Sequence, residues 1–483
     1  MNRVLVGADD TGRIRRPLTP TARRLVFGRV SVSAPGDLEL VTEVDRAHLV
    51  MLAEQGIVDR PVAGAVLAEI ARLRSIGFAP LQGREARRGL YLLYEDWLAS
   101  RLGLGTAGVL RTGRSRNDLN ATVFLLRLRP AYQRLMTELL RLQAVLLSRA
   151  RRHQRITMPA YTHYQAAVPI TLGHYLAGVA RAVDRDIEAL AGTAPGLGRC
   201  PLGAGAGGGT SVPLDPTRVS ELLGFEEPVA HSLDAVAARE PALRLLAGAA
   251  VLGVTLSRLA TDLLLWTTAE FGFLSLPDEL VGSSSLMPQK RNPFLLEHVK
   301  GRSAAPLGAL VASATAMHAT PFANSVAVGT EACAPVIDAL EAAADATALV
   351  RLVVAGAQPD PEAMLRRAMV GHTVATAIAD HLVFEQGISF REAHHLVGAA
   401  LSDETVGDTG RVVAQLRRLG PAEVAAAARH GGGPGAPLDI DDLRLRRAAW
   451  SAELVTRARR WAGAAASLDA AVAGLVTPDP VPV

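Results

Sequence analysis

The chain has 483 residues, 51 Lys+Arg against 47 Asp+Glu for a net charge of +4, 49% hydrophobic residues and 4% aromatic ones. That is long enough for several domains or one extended helical architecture, and the Ala-, Leu-, Arg- and Val-rich mixture favours helix. The small charge, with no basic tail and no Lys/Arg block interleaved with aromatics, argues against a nucleic-acid partner, and two distant cysteines without CxxC spacing, Cys200 and Cys333, argue against a metal site or disulfide framework and fit a reducing compartment.

Residues 1 to about 30 read as an extended arm with no continuous apolar core, so no signal peptide is expected. The most apolar stretch, Leu243 to Trp266, contains Arg244, Arg258 and Asp262 and reads as a buried bundle helix, not a membrane span. A cytoplasmic protein is expected. Short amphipathic helices are predicted over 38–54 and 61–76, joined by a turn at Gly56. Arg111-Thr112-Gly113-Arg114-Ser115-Arg116-Asn117-Asp118 follows, a polar, positive island ahead of a helix. Spacing leaves two readings open. One is a solvated helix cap, with Asp118 or Asn120 capping. The other is a carboxylate grip to which Ser115, Arg116 and Asn117 contribute. The next helix carries Leu128, Tyr132, Leu135, Leu139, Leu142 and Leu146 at alternating four- and three-residue steps, a seam for neighbouring helices, with Pro130 near its start.

Met158-Pro159-Ala160-Tyr161-Thr162-His163-Tyr164-Gln165 is a further polar island, read as a loop before a helix from Pro169. A lone histidine in such a place is more often structural. Residues 196–209 are glycine-rich but lack a phosphate loop's flanking strand and lysine, so they read as a flexible connector. Five long helices are predicted, over 121–153, 169–191, 241–270, 293–317 and 333–355.

The segment from Gly282 to Pro293, Gly-Ser-Ser-Ser-Leu-Met-Pro-Gln-Lys-Arg-Asn-Pro, reads as a mobile loop delivered onto a helix start, with Asn292 as cap and Pro293 as the first helical residue. Such a start suits an anion. Lys290 and Lys300 are the only lysines in the chain. Where arginine serves everywhere else, a lysine kept here suggests that an ammonium is wanted. Ser283, Ser284 and Ser285 add hydroxyls. Residues 359–387 and 389–400 form a smaller helical region, 430–435 a linker, and 477–483 a proline-rich tail.

Several of these segments carry a resemblance. Gly282 to Pro293 resembles the fumarase/aspartase superfamily signature Gly-Ser-Ser-x-Met-Pro-x-Lys-x-Asn-Pro, with one extra Ser between Gly and Met. Thr112 to Asp118 resembles the second signature of argininosuccinate lyases, and Tyr161 to Gln165 resembles that family's third conserved region. Pro201 to Gly205 resembles its connector, His231 to Val236 its Asn-Ser-x-Asp-Ala-Val, and Gly387 to His394 its Gly-x-Pro-Phe-Arg-x-Ala-His. The resemblance implies an all-α, three-domain fold with a central long five-helix bundle. In the family this becomes a twenty-helix core in a homotetramer, whose active sites each draw on three subunits. Domains are expected at 1–112, 113–357 and 358–483.

It also implies an anti β-elimination from a succinyl-bearing small molecule, releasing fumarate without metal or organic cofactor. Ser284 then stands as the base, Lys290 and Asn292 face the developing aci-dianion, and His163 with Thr162 serves the leaving nitrogen. Ser115, Arg116 and Asn117 hold the succinyl carboxylates; Gln165, Ser283, Ser285, Met287 and Gln289 also face substrate. Departures lie on the leaving-group side. The family's Glu-Asp-x-His element reads Glu95-Asp96-Trp97-Leu98, a histidine before Thr-Gly-Arg-Ser is Arg111, and a substrate-side serine is Asp45. The family's Tyr-Asn-x-Asp-x-Gln-Glu-x-Lys stretch falls in Pro321 to Glu331, where no lysine occurs. A lyase of an N-substituted aspartate with another leaving group is therefore expected. Argininosuccinate lyase proper, a cycloisomerase or a non-catalytic relative are the alternatives.

Overall fold

A computed structural model describes residues 18–27, 35–84, 89–402, 412, 414, 418–438 and 440–476. The tail at 477–483 and most of the N-terminal arm lie outside these residues, and Pro20–Phe27 within the arm is helical. The principal elements are α1 (Pro35–Glu54), α2 (Arg60–Ser75), α3 (Leu90–Leu102), α4 (Arg116–Arg152), β1 (Thr157–Thr162), β2 (Gln165–Thr171), α5 (Leu172–Ala191), α6 (Glu240–Trp266), α7 (Phe294–Arg302), α8 (Ala305–Met317), α9 (Val336–Gly356), α10 (Pro361–Val370), α11 (Ala375–Gln386), α12 (Phe390–Ser402), α13 (Pro421–Ala427) and α14 (Asp441–Val476). The fold is all-α in class, with only short two-stranded sheets among the described residues.

The bundle forms around α4, which runs unbroken through Pro130. The predicted seam is its inner face: Leu128, Leu135, Leu139, Leu142 and Leu146 are fully buried and Tyr132 nearly so. Burying each such leucine stabilises the fold by about 1.5–3 kcal/mol. Helix α5 returns antiparallel from the end of α4, with Gly173 N–H donating to His153 O at 3.0 Å and Gln143 Nε2 to Asp184 Oδ1 at 3.0 Å. Helix α9 runs alongside α4 in the same direction, joined by Arg134 to Glu341 and Asp345 and by Arg351 to Glu138.

The helix predicted over 293–317 is two helices. The break at Ser303 seats its carbonyl on Gly253 of α6, where a Cβ would lie 2.2 Å from Ser303 O. The chain from 165 to 171 is strand rather than loop and helix. Its β-branched Ile170 and Thr171 pair with Met158 and Thr157 of β1, and Pro159 lies opposite Pro169.

One core joins α1–α9 with α14; a smaller one, containing Val374, Ile378, Leu382, Ala393 and Val397, unites α11 and α12. Helix α14 lies back along the N-terminal helices. Arg46 pairs with Asp469, and a Cβ on Gly64 would meet Leu475 O at 2.5 Å. The division at 112 and 357 stays a proposal about chain order.

Two ends of the bundle matter. Residues 111–118 enter α4 at one end. At the other, α4 gives way to the β1–β2 hairpin, and Leu274–Ser275 pairs with Gln358–Pro359 just past α9, ahead of the Gly282 loop. A 37-residue helix puts about 55 Å between those ends.

Candidate active site

Ser115, not Asp118 or Asn120, caps α4. Its Oγ accepts from Asn117 N–H at 3.2 Å, while Asp118 Oδ1 accepts from Ser115 N–H at 3.0 Å, a capping box. Such a cap stabilises by about 1 kcal/mol. The other Asp118 oxygen accepts from Gly203 N–H at 3.1 Å and Gly205 N–H at 2.9 Å. Gly203 and Gly205 sit at φ +103 and +60, where a side chain would be strained. The connector is thus fixed on the start of α4 rather than flexible. Burial pushes the Asp118 carboxyl up, and the N–H groups of Ser115, Gly205 and Gly203 draw it back.

Most of the positive charge in this segment is spent internally. Arg111 pairs with Glu95. Arg114 pairs with Asp45, both side chains essentially inaccessible, and donates to Tyr91 Oη at 2.8 Å. Asp45 therefore does not face substrate as its position in the family pattern implied; it is the internal counter-charge of Arg114. Burial pushes the Asp45 carboxyl up while Arg114 pulls it down. Burial works against the Arg114 charge, but Asp45 and Tyr91 more than offset it and raise its pKa. His48 Nε2 lies 2.9 Å from Thr112 O. Burial and then Arg114 push His48 down to about 3, so it is neutral and donates to that carbonyl. Arg116 remains exposed, while Ser115 and Asn117 are partly buried. Asn117 Oδ1 accepts from Asn324 Nδ2 at 2.9 Å, a partner the local sequence did not point to. Gly329 allows this approach, since a Cβ there would lie 2.8 Å from Asn324 Oδ1. Glu331 is exposed at the end of the short π-helical turn Ala327–Glu331.

Thr162 and Gln165 pair across the end of the hairpin, leaving His163 and Tyr164 as a two-residue turn. Their φ values, +53 and +61, are those of a turn usually built from Asn-Gly. A left-handed conformation costs an L-residue about 1–2 kcal/mol. The hairpin base is held by Tyr161, whose ring lies 5.6 Å from Phe271 and 6.5 Å from Phe273; Trp266 and Tyr175, 4.7 Å apart, extend the cluster into the bundle. Thr162, His163, Tyr164 and Gln165 are all exposed, Tyr164 by 84%.

The Gly282 loop is pinched at its base. Gly282 N–H donates to Asn292 O and Asn292 N–H to Gly282 O, each at 2.8 Å. Asn292 is thus not the helix cap expected: α7 starts at Phe294 with Pro293 in the cap position, because the Asn292 backbone is committed to Gly282. Asn292 Nδ2 donates instead to Ser283 O at 3.4 Å. Within the loop, Ser284 Oγ accepts from Leu286 N–H at 3.3 Å and Met287 N–H at 3.1 Å. Ser283, Ser285, Met287, Gln289 and Lys290 are exposed. Among the described residues, no hydrogen bond or ion pair joins the Ser115–Asn117 group, the hairpin tip and this loop. One chain therefore presents three polar groups but does not bring all three together.

The flank of the bundle is apolar where it meets solvent. Val251 and Val254 on α6 and Leu307 and Val311 on α8 are each more than half exposed. Helices with such faces bury them in further helix contacts.

A lyase family model matches residues 95–308, spanning all three polar groups, and an argininosuccinate lyase C-terminal model matches residues 372–416. An argininosuccinate lyase from Halorhodospira halophila is 36% identical over 396 residues, covering 81% of this chain and 84% of that protein. The chain belongs to the argininosuccinate lyase family. Among solved structures, EDDS lyase in complex with formate superimposes with a TM-score of 0.82 at 29% identity, over 97% of this chain and 98% of that one. A variant of the same lyase with bound fumarate matches equally well. Class II fumarase from Schistosoma mansoni, at 16% identity, shares the fold with a TM-score of 0.70, over 87% of this chain and 97% of that one. This argininosuccinate lyase relative is a fumarate-releasing carbon–nitrogen lyase within the fumarase/aspartase superfamily.

Proposed function

We propose that the chain eliminates an amine, or another nitrogen leaving group, from an N-substituted aspartate. The observation that carries this reading is the setting of Ser284. Of the three loop serines, it alone has two backbone N–H groups on its Oγ, and Lys290 shares the pinched loop. A serine hydroxyl is a poor base until its alkoxide is stabilised, and those donors with the Lys290 charge are what stabilise it. Ser284 takes the Cβ proton. Lys290 and Asn292 meet the negative charge that spreads into the neighbouring carboxylate. His163, with Thr162, delivers a proton to the departing nitrogen. Ser115, Arg116 and Asn117 hold the succinyl carboxylates, with Gln165, Ser283, Ser285, Met287 and Gln289 lining the remainder.

The separation of the polar groups along α4 supports sites shared between subunits of a homotetramer, and the apolar flank of α6 and α8 supports a bundle-to-bundle interface. We place the protein in the cytoplasm.

Argininosuccinate itself is the second reading, favoured by the curated relative. Its guanidino-amino-acid leaving group carries a free carboxylate and ammonium. No lysine follows Lys300, no arginine lies between Arg302 and Arg351, and Glu331 stands exposed. Losing one charge-assisted contact costs about 1.5–3 kcal/mol. Argininosuccinate is accordingly expected to be poorer, by on the order of 100-fold in kcat/KM, than a smaller N-substituted aspartate. Fumarate release followed in the ultraviolet across a panel of N-succinyl compounds tests both readings. Efficient turnover of argininosuccinate would return the protein to arginine formation.

A further inference from the structure

We infer that Tyr164 is a specificity-determining residue that presents its ring to the nitrogen substituent of the substrate, and that the substituent it selects is planar and unsaturated, such as an aryl group. This rests on the proposed function, in which His163 serves the leaving nitrogen.

Three observations converge. First, the turn does not need a tyrosine: at φ +61 a glycine or asparagine would sit there with less strain. Second, the ring does not support the fold of its own chain, since Tyr164 is 84% exposed while Tyr161, three residues earlier, is packed among Phe271 and Phe273. Third, the tip is mounted rather than loose. The hairpin is paired up to Thr162–Gln165, Pro169 of β2 is buried, and a Cβ on Gly371, just past α10, would lie 3.0 Å from the Ala166 side chain. A strained, exposed aromatic on a rigid support is arranged for something that arrives from outside the chain.

What arrives is narrowed by the neighbour. Tyr164 adjoins the residue that meets the leaving nitrogen, so its ring flanks the substituent on that nitrogen and not the succinyl half. A phenol face offers stacking area and a hydroxyl at little cost in conformational freedom, and it offers no full charge to pair with a carboxylate. A planar, unsaturated group matches that surface. A saturated substituent of similar size, or one ending in a free carboxylate, does not.

The test compares N-phenylaspartate with N-methylaspartate on the intact protein, Tyr164→Gly and Tyr164→Phe, with assembly followed by native mass spectrometry and thermal unfolding. Tyr164→Gly should lower the phenyl-to-methyl ratio of kcat/KM by about tenfold, chiefly through a higher KM for the phenyl compound. Tm should hold or rise, because glycine relieves the left-handed strain, and Tyr164→Phe should keep the ratio. Equal losses on both compounds would mean that the tyrosine merely positions His163 and would overturn the inference. A broken assembly with a lowered Tm would do the same, reassigning the ring to a subunit interface. An unchanged ratio would leave no role in selection. Failure of the unsubstituted protein to turn over either compound would instead remove the proposed function, and this inference with it.

Discussion

Combine Asn117→Leu protein with His163→Asn protein, each inactive alone, and activity should return. Asn117 lies in the first turn of α4 and His163 on the hairpin that follows its last turn, and the helix's 37 residues at 1.5 Å each span about 55 Å. A succinyl compound cannot touch both in one chain, so a site that uses both must take them from different chains. If the two variants are denatured and refolded together in equal amounts, each position in a site is intact half the time. A site needing one intact Asn117 and one intact His163 is then complete in about one case in four, and the mixture should recover about a quarter of the unsubstituted activity. Fumarate formation is the assay, and native mass spectrometry reports that mixed tetramers have formed. No recovery in tetramers shown to be mixed would refute the shared-site argument. The same experiment with Ser284→Ala and His163→Asn asks whether loop and hairpin tip also come from different chains, again with about a quarter expected if they do.

Ser284→Ala should abolish turnover with Tm unchanged, since the loop is exposed; a dead Ser283→Ala with an active Ser284→Ala would place the base one residue earlier. Asp45→Ala strands the buried Arg114 charge and should cost about 3–5 kcal/mol of stability by denaturant unfolding, whereas Arg111→Ala, breaking a half-exposed pair, should cost under about 1 kcal/mol. His48 has a folded pKa depressed from 6.5 to about 3. Its contribution is present above pH 6.5 and lost as pH falls toward 3, by about 1.4 kcal/mol per pH unit. His48→Gln should flatten that part of the stability profile, and an unchanged slope would show that His48 is not buried neutral.

The parts of the fold written in local periodicity were legible in the sequence. The leucine seam of α4 is buried as read, and the hairpin tip and the Gly282 loop stand clear of the core. What was missed depended on contacts made at long range. The 196–209 segment looks flexible because its glycines are local, whereas the Asp118 carboxylate that fixes it lies 85 and 87 residues away from Gly203 and Gly205. Asp45 looked available because its partner Arg114 is 69 residues away. The hairpin was missed for a different reason. Its β-branched and aromatic residues were present, but no Asn-Gly marked a turn that His163 and Tyr164 fill under strain.

The pinch between Gly282 and Asn292 has an evolutionary reading. Two reciprocal backbone bonds close the intervening residues into a ring whose ends are fixed whatever its length. Ser283, Ser284 and Ser285 all lie inside that ring, between the strand before it and helix α7 after it. Loop-closure entropy grows so slowly that even doubling a loop costs only about 0.6 kcal/mol. The ring can therefore be resized over successive generations, changing how far Ser284 reaches, while the bundle beneath it is left unaltered.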